Sequence, residues 1–436
     1  MSGADTQPRI EERLAAAGLP ALGRMAWLEI DLDAIVANLA LVRDVAGSGV
    51  RVEPVVKADA YGHGAVPVAR ALEAAGADGF SVALLEEALE LRRAGILTPI
   101  LVLYPVPVEH VHLAANQGVA LGVGDKVLFD RLVAAWTDGS GGASELVLAI
   151  ELETGLGRGG LTAAEAVSVA ATIAATPGLR LAGTWSHLAA PVDEARSAAQ
   201  RMAFESILGE LGRAGEPAGN RHLAASEAIL TGSAPAYEAV RPGLAIYGLV
   251  PDELIGGGGL DWPADRLRPA MALRARPVRV ADLPAGHGVS YGPTFTTTRP
   301  SRIATLPLGY GDGWPRALSN RARALVRGLS VPLVGNVAMD AVMADVTDVP
   351  GPPVGVDDEF TLLGVDGEDR ITAAELAQQR TTNSWEVVTA MSRRLARVYH
   401  AAAGPLAVRT FSPGEDGWLG SSSGTGTFVN SRSMRS

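Results

Sequence analysis

The chain has 436 residues, enough for one large barrel with a smaller domain or for two or three ordinary domains, and its 47% apolar and 19% charged content is that of a globular protein with a full core. A net charge of −11 argues against a nucleic-acid partner, and the absence of cysteine removes disulfides, thiolate metal sites and cysteine nucleophiles together, which fits a reducing compartment. The start, Met1-Ser2-Gly3-Ala4-Asp5-Thr6-Gln7-Pro8, lacks an apolar signal core, and no run approaches the ~20 apolar residues of a membrane span, so the expected location is the cytoplasm, away from any membrane.

In chain order, residues 1–24 read as a peripheral segment: a polar start, then a short helical piece from Ile10 to Ala17. Residues 25–262 alternate short apolar or β-branched runs with segments whose apolar residues recur every three or four positions, as in Val66-Ala69-Leu72. The expected strands are Trp27–Leu32, Val52–Ala58, Gly79–Ala83, Ile100–Leu103, Val119–Val123, Leu146–Leu152, Leu181–His187 and His222–Ala225. A further run, Ala239 to Tyr247, is either a last strand or a loop. About eight strand–helix repeats predict an α/β fold, a (β/α)8 TIM-like barrel followed by a mostly-β C-terminal domain, with an open Rossmann-type sheet as the competitor. Gly256-Gly257-Gly258-Gly259 marks the expected boundary. Residues 263–412 then carry short runs such as Ala275–Val280, Ser301–Thr305, Val331–Val334, Val342–Val346 and Phe360–Leu363, split by Gly and Pro and mostly without helices. The Ser/Gly-rich end, 413–436, is expected to be disordered.

The residues able to do chemistry fall at the C-terminal ends of the expected strands, where barrel enzymes keep their sites. Lys57 ends an apolar run and opens the turn Lys57-Ala58-Asp59-Ala60-Tyr61-Gly62-His63-Gly64. A desolvated amine there loses basicity and becomes a usable nucleophile and base for an aldehyde cofactor. Arg158, His187, Ser226 and Arg241 follow later strands, and Arg241 precedes Pro242-Gly243-Leu244, a turn whose backbone N–H groups can receive a phosphate. Singly, each has an ordinary explanation: surface ion pairs for the arginines, a satisfied core histidine, a helix cap for the serine. Their sharing one barrel end points to pyridoxal 5'-phosphate (PLP), which needs an amine, a phosphate cradle, a ring-nitrogen partner and ring packing. Ser226, Gly243, Leu244 and Tyr61 would serve the phosphate. Arg241 beside the ring nitrogen, a permanent cation, would resist its protonation and so suppress transamination. No metal-ligand spacing stands out.

From Met25 to Tyr399 the chain resembles the bacterial alanine racemases. The matching segments are the Lys57 turn, Glu153-Thr154-Gly155-Leu156-Gly157-Arg158, Thr184-Trp185-Ser186-His187 and Val240-Arg241-Pro242-Gly243-Leu244-Ala245-Ile246-Tyr247-Gly248. They continue with Val289-Ser290-Tyr291-Gly292, Leu308-Gly309-Tyr310-Gly311-Asp312-Gly313-Trp314 and Asn336-Val337-Ala338-Met339-Asp340. The resemblance implies a PLP-dependent racemase of L- and D-alanine that supplies D-alanine for peptidoglycan. Lys57 would hold the cofactor and work as a base on one face of the substrate, with Tyr291 as the base on the other. His187 and Arg241 are the candidate cations that would stabilise the Tyr291 phenolate. Arg158 and the backbone near Met339 would hold the substrate carboxylate, and Tyr310 would narrow the entrance. Because such β-domain residues come from a partner subunit in that family, a head-to-tail homodimer is implied.

Four positions depart from the family pattern. Glu151 stands where many members carry a lysine that becomes a carbamate, and is expected to pair with Arg158 without needing carbon dioxide. Trp385 replaces a tyrosine that donates to the phosphate. Ala225 replaces an asparagine, and Ala338 stands where cysteine is frequent. These changes keep a racemase for another amino acid open, and also a PLP-binding relative without turnover. A PLP-dependent decarboxylase is the remaining rival, weakened by the lack of cysteine and by Arg241.

Overall fold

The computed structural model describes residues 8–138, 144–254, 266–411 and 418–420. The chain forms two compact units, one from residues 34–269 and the other from residues 1–33 together with 270–436.

The first unit is an eight-stranded parallel barrel. Its strands are β2 (Arg51–Val52), β3 (Phe80–Val82), β4 (Ile100–Val102), β5 (Val119–Val123), β6 (Leu146–Glu151), β7 (Leu179–Trp185), β8 (Asn220–His222) and β9 (Ala239–Val240). Strands β3 to β8 form one parallel sheet in sequential order, with Phe80 opposite Ile100, Ile100 opposite Val119, and Trp185 opposite His222. The ring closes through β2 and β9, which pair in parallel, and through single bridges from Val55 to Ser81 and from Ala225 to Arg241. Closure is what excludes the open doubly wound alternative. β3 and β4 are buried at every position, as parallel strands covered on both faces must be. Between strands run helices such as Ala65–Ala74, Leu85–Arg93, Ala163–Ala175 and Glu194–Arg213. The run Ala239 to Tyr247 resolves into both readings, a two-residue strand followed by a 3-10 turn at Leu244–Tyr247.

The first expected barrel strand belongs elsewhere. β1 (Ala26–Asp31) lies in the sheet of the second unit, antiparallel to β10 (Met271–Ala275) and parallel to β20 (Ala396–Ala401). That sheet runs β11 (Arg279–Leu283), β14 (Ser301–Leu306), β17 (Val342–Asp345), β16 (Leu329–Val334), β15 (Arg323–Val326), β18 (Phe360–Asp366), β10, β1, β20, β21 (Gly404–Arg409) and β22 (Trp418–Gly420). β19 (Asp369–Ile371) pairs with β18, and β12 (Gly288–Val289) with β13 (Phe295–Thr296) form a separate hairpin. The N-terminal segment expected to be peripheral is also part of this unit. Its helix Ile10–Ala16 buries Ile10 and Leu14 against Trp27, Val398 and Val408, because both side chains lie one helical turn apart on the same face. Two helices, Ala373–Arg380 and Ser384–Thr389, interrupt a stretch expected to be nearly all β; Thr372 and Asn383 cap them by accepting the N–H of Glu375 and Glu386. The expected boundary at Gly256–Gly259 lies outside the described residues, as does most of the Ser/Gly-rich end.

Candidate active site

In the barrel unit, the C-terminal strand ends bring together Lys57, Tyr61, Arg158, His187, Ser226, Arg241, Gly243 and Leu244. Lys57 follows the Val55–Ser81 bridge and opens a turn of unusual hand. Ala58, Asp59, Ala60 and Tyr61 have φ of 53, 55, 53 and 52°, the left-handed region that costs non-glycine residues about 1–2 kcal/mol each. Burial lowers the basicity of the Lys57 amine, and the charges of Arg158 and Arg241 lower it further against an opposing push from Glu87.

Arg241 is buried at the end of β9. Its Nη1 donates to His222 Nδ1 and, at 3.0 Å, to His222 O, while Nη2 donates to Ser186 O at 2.7 Å. Its guanidinium carbon lies 4.8 Å from the Trp185 ring centroid. Burial pushes the guanidinium down to about 10, which leaves it a cation at neutral pH. His222, also buried, is held well below its ordinary value by burial and by Arg241, so it stays neutral and its Nδ1 accepts. In the sequence His222 only opens the expected strand His222–Ala225; its place beneath the arginine depends on strand pairing that no local pattern carries.

His187 stands among cations. Burial, with Arg241, Arg158 and Lys57 nearby, pushes its imidazole down to about 3. These surroundings disfavour the protonated imidazole that the sequence leads one to expect. Its loop is fixed by Gln200, which donates to His187 O at 3.1 Å and accepts from Ala189 N at 2.8 Å.

The turn after β9 is compact. Ser226 Oγ accepts from Gly243 N at 2.9 Å and Ala245 N at 3.1 Å, so it binds the turn after Arg241 and does not cap its own helix. A Cβ on Gly243 would sit 2.7 Å from Tyr61 Oη, which is why this position takes glycine. Leu244 begins the buried 3-10 turn that carries these amides. Burial pushes the Tyr61 phenol up to about 12, keeping it a neutral donor. Tyr61 packs on Tyr247, whose hydroxyl donates to Val55 O at 2.8 Å. Hydroxyls and backbone N–H groups around a turn with no room for a side chain fit a phosphate, and the lysine fits an aldehyde.

Arg158 Nη2 lies 3.3 Å from Glu151 Oε1, so the expected pairing is direct. The arginine also stacks over Tyr104 at 5.9 Å. Burial raises the Glu151 carboxyl above its ordinary range, and Arg158 only partly offsets this. Gly124 makes the space, since a Cβ there would come within 2.8 Å of Glu151 Oε2.

The second unit carries Tyr291, Tyr310 and Met339. Tyr291 sits in the β12–β13 loop between Ser290 (φ 68°) and Gly292 (φ 51°), with its carbonyl accepting from Asn336 Nδ2 at 2.9 Å. Tyr310 N donates to Ala338 O at 3.1 Å and Gly311 N to Met339 O at 3.0 Å, which places Tyr310 and Met339 side by side. The side chains stand out: Tyr291 is 79%, Tyr310 45% and Met339 52% exposed. Trp385 lies on the helix Ser384–Thr389 of this unit, and the Ala225 backbone bridges Arg241 in the barrel.

A closed barrel with a desolvated lysine and an ion-paired arginine at its mouth, joined in sequence to a mostly antiparallel unit, has the parts of an enzyme that works through an amine. The family models for the alanine racemase N-terminal and C-terminal domains match residues 30–251 and 270–399. The alanine racemase of Symbiobacterium thermophilum is 40% identical over 379 residues, 86% of this chain and 97% of that protein. That of Thermobifida fusca is 39% identical over 389 residues, 87% of this chain and all of the relative. The crystal structure of the Bacillus anthracis alanine racemase with bound L-Ala-P superposes with a TM-score of 0.82 at 34% identity, covering 90% of this chain and 99% of that one. A histidine racemase from Leuconostoc mesenteroides is similar at a TM-score of 0.76 and 27% identity, covering 87% and 99%. The chain belongs to the alanine racemase family, and alanine racemisation is the activity that membership supports.

Proposed function

We propose that this chain is a PLP-dependent racemase that interconverts L- and D-alanine with two bases, Lys57 and Tyr291, and supplies D-alanine for peptidoglycan in the cytoplasm. The observation that carries the reading is Lys57, a buried amine just past the Val55–Ser81 bridge at the barrel mouth, with Arg158 and Arg241 near enough to lower its basicity. PLP, when bound, withdraws electrons and makes the substrate α-proton acidic. The rest falls to the chain's own residues. Lys57 would hold the cofactor by its aldehyde and, once the substrate's amine has taken its place there, its freed amine would move the α-proton on one face. Arg158, steadied by Glu151, receives the substrate carboxylate. Tyr61, Ser226 and the turn at Gly243 and Leu244 hold the phosphate. Arg241, with neutral His222 behind it, would set a fixed cation toward the ring nitrogen and so keep a proton off it.

Tyr291, Tyr310 and Met339, exposed on the second unit, support a head-to-tail homodimer in which they complete the partner's barrel mouth. There Tyr291 serves the opposite substrate face, Tyr310 narrows the entrance and the Met339 backbone meets the carboxylate. A racemase of different substrate is the second reading, favoured by the likeness to a histidine racemase. Among the described residues no helix is long and apolar enough to cross a membrane. The test is Cα deuterium exchange in D2O, followed by proton NMR with the cofactor-loaded enzyme and each L-amino acid in turn. Exchange with formation of D-alanine is expected; no exchange with any amino acid would refute the assignment.

A further inference from the structure

We infer that Glu87 is a positioning residue for Lys57: one carboxylate ties the left-handed turn after the lysine to the start of the neighbouring helix and so aims the amine. The inference rests on the proposed role of Lys57. Glu87 sits on the helix Leu85–Arg93, which follows β3 as Lys57 follows β2. Its Oε2 accepts from Ala83 N at 2.8 Å and Leu84 N at 3.0 Å, a helix cap of ordinary kind. Its Oε1 does something a cap does not require. It accepts from Ala58 N at 2.6 Å, the amide directly after Lys57 and the first residue of the run at positive φ.

A left-handed run of Ala-Asp-Ala-Tyr is not chosen by those residues, since none is glycine, so contacts around it must impose it. Three do. Asp59 Oδ1 accepts from Ala65 N at 2.9 Å and holds the far end of the turn. His63 Nδ1, 3.0 Å from both Ala60 O and Tyr61 O, carries its proton toward them and holds the middle. Of these three side chains, Glu87 is the one that reaches the end that carries Lys57. It also supplies an opposing charge, since Arg158 and Arg241 depress the basicity of the amine and Glu87 raises it.

A glutamine at 87 cannot reproduce this, because its single carbonyl oxygen can serve Ala58 or the Ala83–Leu84 pair but not both. Aspartate keeps the charge and is too short to span the two elements. The comparison is Glu165, which caps the helix Ala163–Ala175 by accepting from Thr162 N and Oγ1 and touches no turn of the lysine.

The experiment compares E87Q, E87D and E165Q in the full-length enzyme loaded with PLP. For E87Q we expect kcat to fall at least tenfold with KM for alanine within twofold, and the pH midpoint of the lysine–cofactor absorbance to move down. For E87D, which keeps the cap, we expect a folded protein with a similar loss of kcat. E165Q should lose thermal stability only. In cofactor-free protein, hydrogen exchange of the peptide spanning residues 57–64 should quicken in both Glu87 variants and not in E165Q. Wild-type kcat and unchanged exchange in E87D, or in a folded E87Q, would overturn the inference and leave Glu87 as a cap. If wild-type protein shows no absorbance that K57A removes, the PLP reading has failed instead, and the exchange measurement still decides whether Glu87 holds the turn.

Discussion

Replacing Glu151 with glutamine separates what the Arg158 pair does for substrate from what it does for the fold. At 3.3 Å a unit-charge pair in a medium of dielectric about 20 gains about 5 kcal/mol, which is a ceiling. The Arg158 side chain is 42% exposed, and water screening brings such pairs down toward about 1 kcal/mol. E151Q should therefore raise KM for alanine about fivefold, the equivalent of that energy, with a smaller change in kcat. Stability should move the other way. Burial raises the Glu151 carboxyl, so the folded state binds a proton there more readily than the unfolded chain does. The contribution is best below the ordinary carboxylate range and declines as pH rises through the window up to the folded value. At pH 7 the neutral amide escapes that cost, and E151Q should melt no lower than wild type. The assays are D-alanine formation by a coupled oxidase and scanning calorimetry. Because the anion is a glutamate, wild-type activity should also be indifferent to removing carbon dioxide from the buffer. An unchanged KM in E151Q, or activity restored by bicarbonate, would refute the reasoning.

S226A leaves the amides of Gly243 and Ala245 without their acceptor, and should cost about 1–3 kcal/mol in urea denaturation of the cofactor-free protein. G243A drives a methyl group into Tyr61 Oη and should lower PLP affinity well beyond the effect of S226A, read by fluorescence titration; equal affinity to wild type would place the phosphate elsewhere. His187 is folded with its pKa pushed from 6.5 to about 3, so its stabilising contribution is present above 6.5 and is lost as pH falls through that window. H187N should flatten the decline in melting temperature between those pH values, and a decline as steep as wild type would show that His187 is not buried neutral.

The barrel was readable because parallel strands covered on both faces leave dense apolar runs, as in Ile100–Val102, at the regular spacing of strand and helix. Trp27 to Leu32 has the same local look, and its true partners, Met271–Ala275 and Ala396–Ala401, lie far along the chain, where no periodicity could announce them. Lys57 and the glycine turn at 243 were legible because residue type alone limits what they can do. The left-handed turn at 58–61 was not, since Ala-Asp-Ala-Tyr carries no glycine to signal positive φ. Nor was the neutrality of His187, which comes from burial and three neighbouring cations drawn from separate strands. Glu87 and His222 were overlooked for a related reason: each looks like an ordinary helix or strand residue until pairing between strands places it.

The barrel closes where β2 meets β9, a parallel pair of two residues each, supplemented by single bridges at Val55 and Ala225. Lys57 enters the site from one side of that seam, and Ser226, Arg241 and Gly243 from the other. During synthesis the lysine emerges early and the cradle late, and every intervening repeat must form before the first strand finds the last. Such a long closure is slow and rewards the chain only at the end. A ribosome-bound or truncated chain ending before residue 239 would hold its lysine but have no place for a phosphate. On the proposed reading, a chain could capture the cofactor only once that seam had closed.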